Sequence, residues 1–419
     1  MIYILKNAWP ILLGMMLLMA GNGLQGTLLG LRGAIEGFSP TTMSIIMSGY
    51  FLGLLAGSYS TPELIRRVGH VRVFAALGSL ISAAFILYAA IPDPIVWTVM
   101  RVLVGFSFAG VYVVAESWLN AAATNETRGQ ALSAYVIVQM VGIVAAQVLL
   151  NFADVGGYTL FVLMSVMVSI SFMPILLSTT TAPVFHASKR MSLKELYIVS
   201  PLGCVGIFLL GGIFAILFGM ASVYGTEARL SIREISIFVG LIYLSGLIWQ
   251  YPIGWISDRM DRRLLIMILT GAGSLAILVG LLFTEYRIVL YILSFIVGGV
   301  SNPLYSLIIA YTNDYLEPDD MASASGGLIF ISGIGSVSMP LLVGWAMTRF
   351  GPNTYFIFLA VLLGSIAGYA AYRTTRRAPT PVDETSAYAA VLPQASPIAV
   401  EVAQEVAIEM ALEDEETEG

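Results

Sequence analysis

Residues 254–263 read Gly-Trp-Ile-Ser-Asp-Arg-Met-Asp-Arg-Arg, a charged turn between two long apolar stretches. A glycine lets two helices approach each other closely, and a carboxylate four residues further on can pair with neighbouring arginines. The pattern therefore predicts a short loop between adjacent helices, whose charges hold the helix ends together in one conformation and release them in another. The residues predicted to form this latch are Gly254, Asp258, Arg259 and Arg262.

Apolar stretches of this kind run along almost the whole chain. Of its 419 residues, 58% are hydrophobic and 11% are charged, and the mean hydropathy is +0.87, whereas soluble domains have about 25% charged residues. This composition excludes a soluble globule and predicts an all-α, polytopic membrane protein in a lipid bilayer. Twelve stretches are long enough to span it, within residues 8–30, 41–61, 72–91, 95–118, 129–151, 157–178, 201–224, 235–257, 264–283, 287–311, 322–346 and 353–372.

Most of the 20 basic residues lie in alternate loops between these stretches. Because positive charge is retained in the cytoplasm during membrane insertion, this distribution predicts that both termini are cytoplasmic. The basic residues on the predicted cytoplasmic side are Lys6, Arg66, Arg67, Arg72, Arg128, Lys189, Arg190, Lys194, Arg259, Arg262, Arg263, Arg373, Arg376 and Arg377.

The two halves of the chain are related by an internal repeat. A shift of 193 residues superposes Gly105 on Gly298 and Tyr112 on Tyr305, and the loops stay in step. Duplicated bundles of this kind are common in transporters. We therefore predict an N-terminal six-helix bundle over residues 1–179, a cytoplasmic linker over 180–200, a C-terminal six-helix bundle over 201–375 and an acidic tail over 376–419.

The tail carries acidic side chains and no basic one from residue 378 onward. Its glutamates recur at steps of four beside a narrow apolar face, and like charges at that spacing repel each other. This pattern predicts disorder. The alternative is an acidic amphipathic helix that binds a partner. The glutamates concerned are Glu401, Glu405, Glu409 and Glu413.

Several classes of function are excluded by what the chain contains. Cys204 is the single cysteine and His70 and His186 are the two histidines, so neither a disulfide nor a metal cluster is expected. Scattered arginines do not form the dense basic face that nucleic acid requires. No arrangement of nucleophile, base and orienting group is present, so we predict neither an enzyme nor a bound cofactor.

The turn at residues 254–263 resembles the signature of the major facilitator superfamily, Gly-x-x-x-Asp-Arg-x-Gly-Arg-Arg, with Asp261 in place of the second glycine. The resemblance extends from Ala8 to about Tyr372. It implies twelve transmembrane helices in two pseudo-symmetric six-helix bundles. The runs at residues 111–120, 128–135, 313–314 and 333–336 are similar to the YcaD-type branch of bacterial carriers, which implies a multi-pass protein of the bacterial inner membrane.

The equivalent turn of the first half departs from that signature. It keeps Gly69 and the basic residues Arg66 and Arg67, but Arg66 stands where the family usually has aspartate. A latch in this half would need Glu63 or Glu116 to supply the missing negative charge. The alternative is a basic loop that serves only to orient the chain.

In the superfamily, helices one, four, seven and ten line a central cavity. Arg101 and Tyr112 lie on one face of the fourth stretch, and a charge in lipid is costly, so we expect Arg101 to face the interior. The alternatives are that Arg101 snorkels to the surface and that the polar residues only bond neighbouring helices. The predicted path residues are Asn22, Gln25, Arg32, Arg101, Tyr112, Gln139, Tyr224, Asn302 and Tyr305, and Gln147 is a further polar residue of helix five.

These features predict a secondary transporter that moves a small organic solute by alternating access. The solute is expected to carry an anionic group if Arg101 and Arg32 face the path. Proton coupling stays open, because the candidate carriers Glu36, Glu116 and Glu227 lie near helix ends. The alternatives are a multidrug-type efflux carrier and a non-transporting sensor that signals through the tail.

Overall fold

The computed structural model describes residues 2–177 and 191–376, together with residues 381, 385, 388–396, 398–400 and 402–403. Most of the predicted linker and the glutamates predicted to form an acidic helix lie outside the described residues. All regular structure in the described part of the chain is helical. The prediction of an all-α protein is confirmed.

The first half contains six long helices. They are α1 (Ile2–Ile35), α2 (Pro40–Val68), α3 (His70–Ala90), α4 (Pro94–Ala122), α5 (Asn125–Leu149) and α6 (Thr159–Leu176). Serine and aspartate begin helices here as expected from their capping chemistry: the Asp93 carboxylate accepts from the backbone N–H groups of Ile95 and Val96. Gly37 and Gly69 adopt positive φ where α1 and α2 end, a conformation that glycine tolerates best.

The second half repeats the arrangement. Its helices are α7 (Leu193–Val199), α8 (Pro201–Ala215), α9 (Ala221–Glu227), α10 (Ile232–Ser257), α11 (Arg262–Gly280), α12 (Arg287–Asn313), α13 (Pro318–Phe350) and α14 (Thr354–Thr374). A π-helical turn at Ile216–Met220 joins α8 and α9 into one span. The short helix α7 begins with a Ser192–Glu195 capping box and packs buried Leu196 beside Gly327 of α13.

Twelve of these helical segments are long and apolar enough to cross a membrane, as the sequence predicts. In the first bundle α2 packs on α4, and α1 packs on α5 and α6. In the second bundle α10 packs on α12, α8 on α13 and α11 on α14. The prediction of two pseudo-symmetric six-helix bundles is confirmed.

The repeat is visible at two glycine contacts. A Cβ atom on Gly105 would collide with the backbone carbonyl of Tyr50, and one on Gly298 would collide with that of Ile242. Both glycines therefore let a helix backbone lie directly against its neighbour. The equivalent pairs, α2 with α4 and α10 with α12, use the same contact because they derive from the same element of the repeat.

Antiparallel packing of the helices gives the protein two faces. We call the face with Gly69 and residues 258–261 the basic face, and the face with Gly37 and Gly351 the opposite face. Three hydrogen bonds between the two bundles lie toward the opposite face. They join Thr41 to Thr348 at 2.9 Å, Asn151 to Ser236 at 3.0 Å and Ser222 to the carbonyl of Gly26 at 3.4 Å.

We predict that Gly298→Ala destabilises the protein by about 1–3 kcal/mol, because the added methyl group forces α10 and α12 apart. Gly368→Ala is the matched control, since a Cβ there meets no atom within 4 Å and alanine favours a helix over glycine. Thermal unfolding of the detergent-purified variants measures the difference. Equal unfolding midpoints for the two variants would contradict the close contact.

Candidate functional site between the two bundles

A cavity lies between the two bundles, within the spanning helices. Helices α1, α2, α4 and α5 line it from the first bundle, and the π-helical turn, α9 and α10 line it from the second. Its polar residues are Asn22, Thr27, Tyr50, Arg101, Ser222, Tyr243 and Gln394, and its apolar walls include Phe51 and Phe218.

Arg101 is the charged residue of this cavity. Its side chain is 4% exposed, so it turns into the bundle and does not snorkel to the surface. One terminal nitrogen donates a hydrogen bond to Gln25 Oε1 at 3.0 Å. The guanidinium lies over the ring of Tyr50, 4.7 Å from its centroid. Gln25 is held in turn by its amide nitrogen, which donates to the hydroxyl of Tyr88 at 3.0 Å.

The partners of Arg101 are neutral. Within the described part of the chain, no carboxylate forms an ion pair with it, and its Nε atom is buried with no hydrogen-bond partner. A buried charge normally has a counter-charge, because removing it from water is costly. The cavity therefore has the chemistry to accept an anionic group. No cluster of metal-ligating residues occurs among the described residues.

Tyr112 and Tyr305 lie closer to the basic face, where they line the continuation of the cavity. This part lies between Leu55 of α2 and Ser332 and Gly333 of α13. The hydroxyl of Tyr112 donates to Gln394 Oε1 at 2.9 Å. Both tyrosines thus lie on the surfaces that the two bundles turn toward each other, and their place on a solute path stays a prediction.

Three of the predicted path residues lie elsewhere. Tyr224 stacks on Tyr355 with ring centroids 4.9 Å apart, within the second bundle. Arg32 lies at the opposite face, where it pairs with Glu36 at 2.7 Å and donates to the carbonyl of Gly156. Gln139 is buried on α5 and is not among the residues that line the central cavity.

Two other polar residues bond neighbouring helices. The amide of Asn302 donates to the carbonyl of Gly298 at 2.9 Å and to that of Ile242 at 3.4 Å. Thr27 of α1 donates to Gln147 Oε1 of α5 at 3.1 Å. The predicted path residues therefore form two groups. Asn22, Gln25 and Arg101 lie close together, whereas the others bond helices to each other or lie elsewhere.

The predicted latch of the second half is a buried ion network. Arg262 is 2% exposed and donates to Asp258 at 3.3 Å, to Ser257 at 3.1 Å and to Asp314. Asp258 ends α10, Arg262 begins α11 and Asp314 follows α12, so one guanidinium joins three helix ends. Burial raises the pKa of the Asp258 carboxyl above its ordinary value, against the lowering effect of the Tyr388 N–H and Arg262.

The other two latch residues have different surroundings. Arg259 lies over the ring of Trp255 at 4.3 Å and donates to the carbonyl of Trp255 at 3.0 Å, at the surface. Gly254 faces the tail: a Cβ atom on it would lie 2.6 Å from the ring of Tyr388. Gly254 thus gives room to a tail residue, and the atoms nearest to its Cβ position belong to Tyr388 and not to a neighbouring helix.

In the first half, Glu63 supplies the negative charge that the turn lacks at position 66. It pairs with Arg66 at 2.7 Å and with Arg67 at 2.6 Å, and all three side chains are exposed. Exposed pairs of this kind contribute little to stability. Glu116 is instead buried and accepts hydrogen bonds from the hydroxyl of Tyr135 at 3.1 Å and from the backbone N–H of Ser396 at 3.0 Å.

Disorder of the tail stays a prediction, and the structure describes part of the tail against the bundles. Residues 393–396 line the cavity beside Tyr112, and Val391, Ser396, Ala399 and Val400 are buried. The physical reason is their composition, since residues 385–400 carry no charged side chain within the acidic tail. Such a segment can leave water for an apolar crevice at low cost.

Sequence reasoning missed Tyr50 and Tyr243 of the cavity, and Asp314 of the latch. The repeat contains a signal for the first two, because the shift of 193 residues that relates Gly105 to Gly298 also superposes Tyr50 on Tyr243. Asp314 lies in a run that carries a family resemblance, but nothing in the sequence pairs it with Arg262. The uncharged interval within the tail was a signal for its burial.

Curated relatives share about a quarter of the sequence. The uncharacterized MFS-type transporter YcaD of Escherichia fergusonii is 25% identical over 353 residues, which covers 84% of this chain and 91% of the relative. An uncharacterized MFS-type transporter of Enterobacter sp. strain 638 is 25% identical over 359 residues, covering 84% of this chain and 92% of the relative.

Solved structures share the fold at low identity. The nucleoside transporter NupG superposes with a TM-score of 0.72 at 11% identity, covering 88% of this chain and 99% of that one. A bacterial homolog of the human lysosomal transporter Spinster superposes at 0.65 with 12% identity, covering 96% and 98%. The human organic anion transporter MFSD10 superposes at 0.56 with 14% identity, covering 88% and 99%.

The family model agrees with the fold, the repeat and the turn at residues 254–263. The model of the Major Facilitator Superfamily matches residues 11–249 and 202–403, which together include almost all of the described chain and the tail segment within the cavity. This multi-pass membrane protein belongs to the Major Facilitator Superfamily.

Proposed function

We propose that the protein is an alternating-access carrier for a small organic solute that bears an anionic group. The observation that supports this proposal is the environment of Arg101. A guanidinium buried between the bundles with neutral partners and one unused N–H group gains a charge-assisted hydrogen bond when a carboxylate or phosphate enters. The cavity wall supplies no such group itself.

The rest of the cavity favours an organic body on that solute. Phe218 stacks on Tyr243 with centroids 4.8 Å apart, and Phe51 lies against Tyr50 at 5.4 Å. These rings give apolar walls around a small number of polar groups, the usual composition of a small-molecule site. A bare inorganic ion would leave the apolar surfaces unused.

Alternating access requires contacts that break when the bundles move. The hydroxyl and amide bonds between the bundles at the opposite face, such as Thr41 with Thr348, contribute about 0.5–1.5 kcal/mol each. They can close that face in one state and open in the next. The buried Arg262 network lies within one bundle, so we infer that it keeps the ends of α10, α11 and α12 together while that bundle moves.

The basic face is proposed to be the cytoplasmic face of a bacterial inner membrane, with both termini in the cytoplasm. The concentration of Lys and Arg in the loops of this face supports that orientation. Hydrogen bonds between the bundles toward the opposite face support an inward-facing state under this assignment.

Glu116 is the candidate for proton coupling. Among the described residues that line the cavity and its mouth, Glu116 is the one with a carboxylate side chain. It is buried beside Tyr135. Transport coupled to protons would therefore depend on Glu116. Exchange of one anion for another needs no such group and is consistent with Arg101 alone.

The alternative cargoes and roles are less well supported. A nucleoside, the cargo named for NupG, has no fixed charge to pair with Arg101, whereas an organic anion, the cargo named for MFSD10, has one. A multidrug-type carrier would need no buried cation of fixed geometry. A sensor that signals through its tail would need the tail to be outside the cavity, free to reach a partner, in at least one state.

We predict that Arg101→Gln weakens binding of the anionic solute by about tenfold or more, while Arg101→Lys weakens it less. Carboxylates and organic phosphates are screened by the rise that each gives in the thermal unfolding midpoint of the wild type. A lost hydrogen bond to a charged group costs about 1.5–3 kcal/mol, which is about tenfold or more in affinity. The exposed Arg233→Gln is the matched control. An unchanged shift in Arg101→Gln would remove Arg101 from the site.

We predict that Arg262→Ala lowers the free energy of unfolding by about 3–5 kcal/mol, because it leaves the buried Asp314 without its guanidinium. Arg259→Ala, which removes a surface contact with Trp255, is the control and should change the value by less than about 1 kcal/mol. Unfolding of the purified proteins by heat or denaturant provides the measurement. Similar losses in both variants would argue against a structural role of the network.

We predict opposite labelling of two introduced cysteines in a Cys204→Ser background. A membrane-impermeant maleimide added to intact cells should label Asn353→Cys at the opposite face, and should label Lys194→Cys only after the cells are permeabilised. Both positions are exposed, so accessibility of the side chain does not limit the reaction. The reverse pattern would invert the proposed orientation.

A further inference from the structure

The tail segment begins on the second bundle. The backbone N–H of Tyr388 donates to Asp258 at 2.8 Å, and Gln250 of α10 donates to the hydroxyl of Tyr388 at 2.9 Å. That hydroxyl also donates to the carbonyl of Pro303 on α12 at 3.3 Å. The segment therefore starts at the latch aspartate and lies across the ends of α10 and α12.

The middle of the segment occupies the cavity itself. The hydroxyl oxygen of Ser306 accepts from the N–H of Val391 at 2.9 Å and lies 3.1 Å from the carbonyl of the same residue. Gln394 accepts from Tyr112 at 2.9 Å, and its side chain also lines the cavity around Arg101. A solute that entered from the basic face would have to pass these residues.

The segment ends on the first bundle. The N–H of Ser396 donates to Glu116 at 3.0 Å, and Ala399 and Val402 line a small pocket with Glu116 on α4 and Leu132 on α5. These residues are buried. One stretch of chain thus bonds both bundles at the basic face.

The segment is suited to this position by its chemistry. Residues 388–396 are not helical, and non-helical backbone at membrane depth is tolerated only when protein groups satisfy its N–H and C=O groups. Side chains of Asp258, Ser306 and Glu116 do so here. Because the segment is part of the same chain, it meets the cavity at a high effective concentration.

We propose that the described tail residues 388–396, 398–400 and 402–403 form a built-in inhibitory plug, which occupies the solute path from the basic face and must leave before the carrier can load or change conformation. This inference rests on the proposed function, because it assigns a regulation to the same cavity. The plug blocks access to Arg101 through Gln394, and it ties the bundles together through Asp258 and Glu116. Release of the segment would open the path to Arg101 and remove the tie between the two bundles.

Accessibility of a cysteine beneath the plug tests this directly. Ser58, which lines the cavity beside Gln394 and Ser396, is changed to cysteine in a Cys204→Ser background, and its rate of reaction with a water-soluble maleimide is measured in purified protein. Three chains are compared: the full chain, a chain that ends at Ala403 and a chain that ends at Arg376. A segment seated in about nine of ten molecules slows labelling about tenfold.

The expected result is slow labelling in the full chain and in the chain that ends at Ala403, and labelling faster by about tenfold or more in the chain that ends at Arg376. A synthetic peptide of residues 388–403 added to the shortest chain should restore protection, whereas a scrambled peptide should not. Equal rates in all three chains, or fast labelling in the chain that ends at Ala403, would overturn the proposal.

A second measurement separates release of the plug from loss of the fold. The native Cys204 is buried in α8, so a truncated chain without other substitutions should leave it unlabelled. If Cys204 becomes reactive on truncation, the double variant Tyr388→Ala, Gln394→Ala in the full chain replaces the truncation, and protection of Ser58→Cys in that variant would refute the plug. The readout needs no solute, so a chain that responds to truncation but carries no organic anion would refute the proposed function alone.

Discussion

At membrane depth every polar group has to find its partner inside the protein, because hydrocarbon offers none. This constraint makes the spans helical and turns their polar side chains toward other helices, as with Gln147 and Asn302. It also explains why a non-helical segment can lie deep between the bundles. Residues 388–396 are tolerated there because Ser306, Asp258 and Glu116 bond their backbone.

The same constraint applies to the charged side chain of Arg101, which needs its partners inside the protein. Its neutral partners Gln25 and Tyr50 hold the guanidinium in place without neutralising it. That arrangement is costly for a purely structural residue and useful for one that receives an anion. Since Gln394 reaches the same cavity, the proposed site and the proposed plug are coupled by position, and occupation by one opposes occupation by the other.

The two bundles share an arrangement of helices but differ in the ion pairs that they form at the basic face. The second bundle buries Arg262 with Asp314, whereas the first exposes Glu63 with Arg66 and Arg67. The buried carboxylate of the first bundle, Glu116, bonds the tail through Ser396. The two halves of the repeat thus differ: one buries an ion pair between its own helices, and the other bonds the tail.

The twelve spans, the two bundles and the charged turn at residues 254–263 follow from the sequence alone, because apolar length and the chemistry of a short loop are local properties. Tertiary packing decided which polar residues meet, since it sets the rotation of each helix about its axis. It turned Tyr224 and Asn302 away from the cavity and Tyr50 and Tyr243 toward it. It also joined Arg262 to Asp314 and Tyr112 to Gln394, residues too far apart along the chain for any local pattern to pair them.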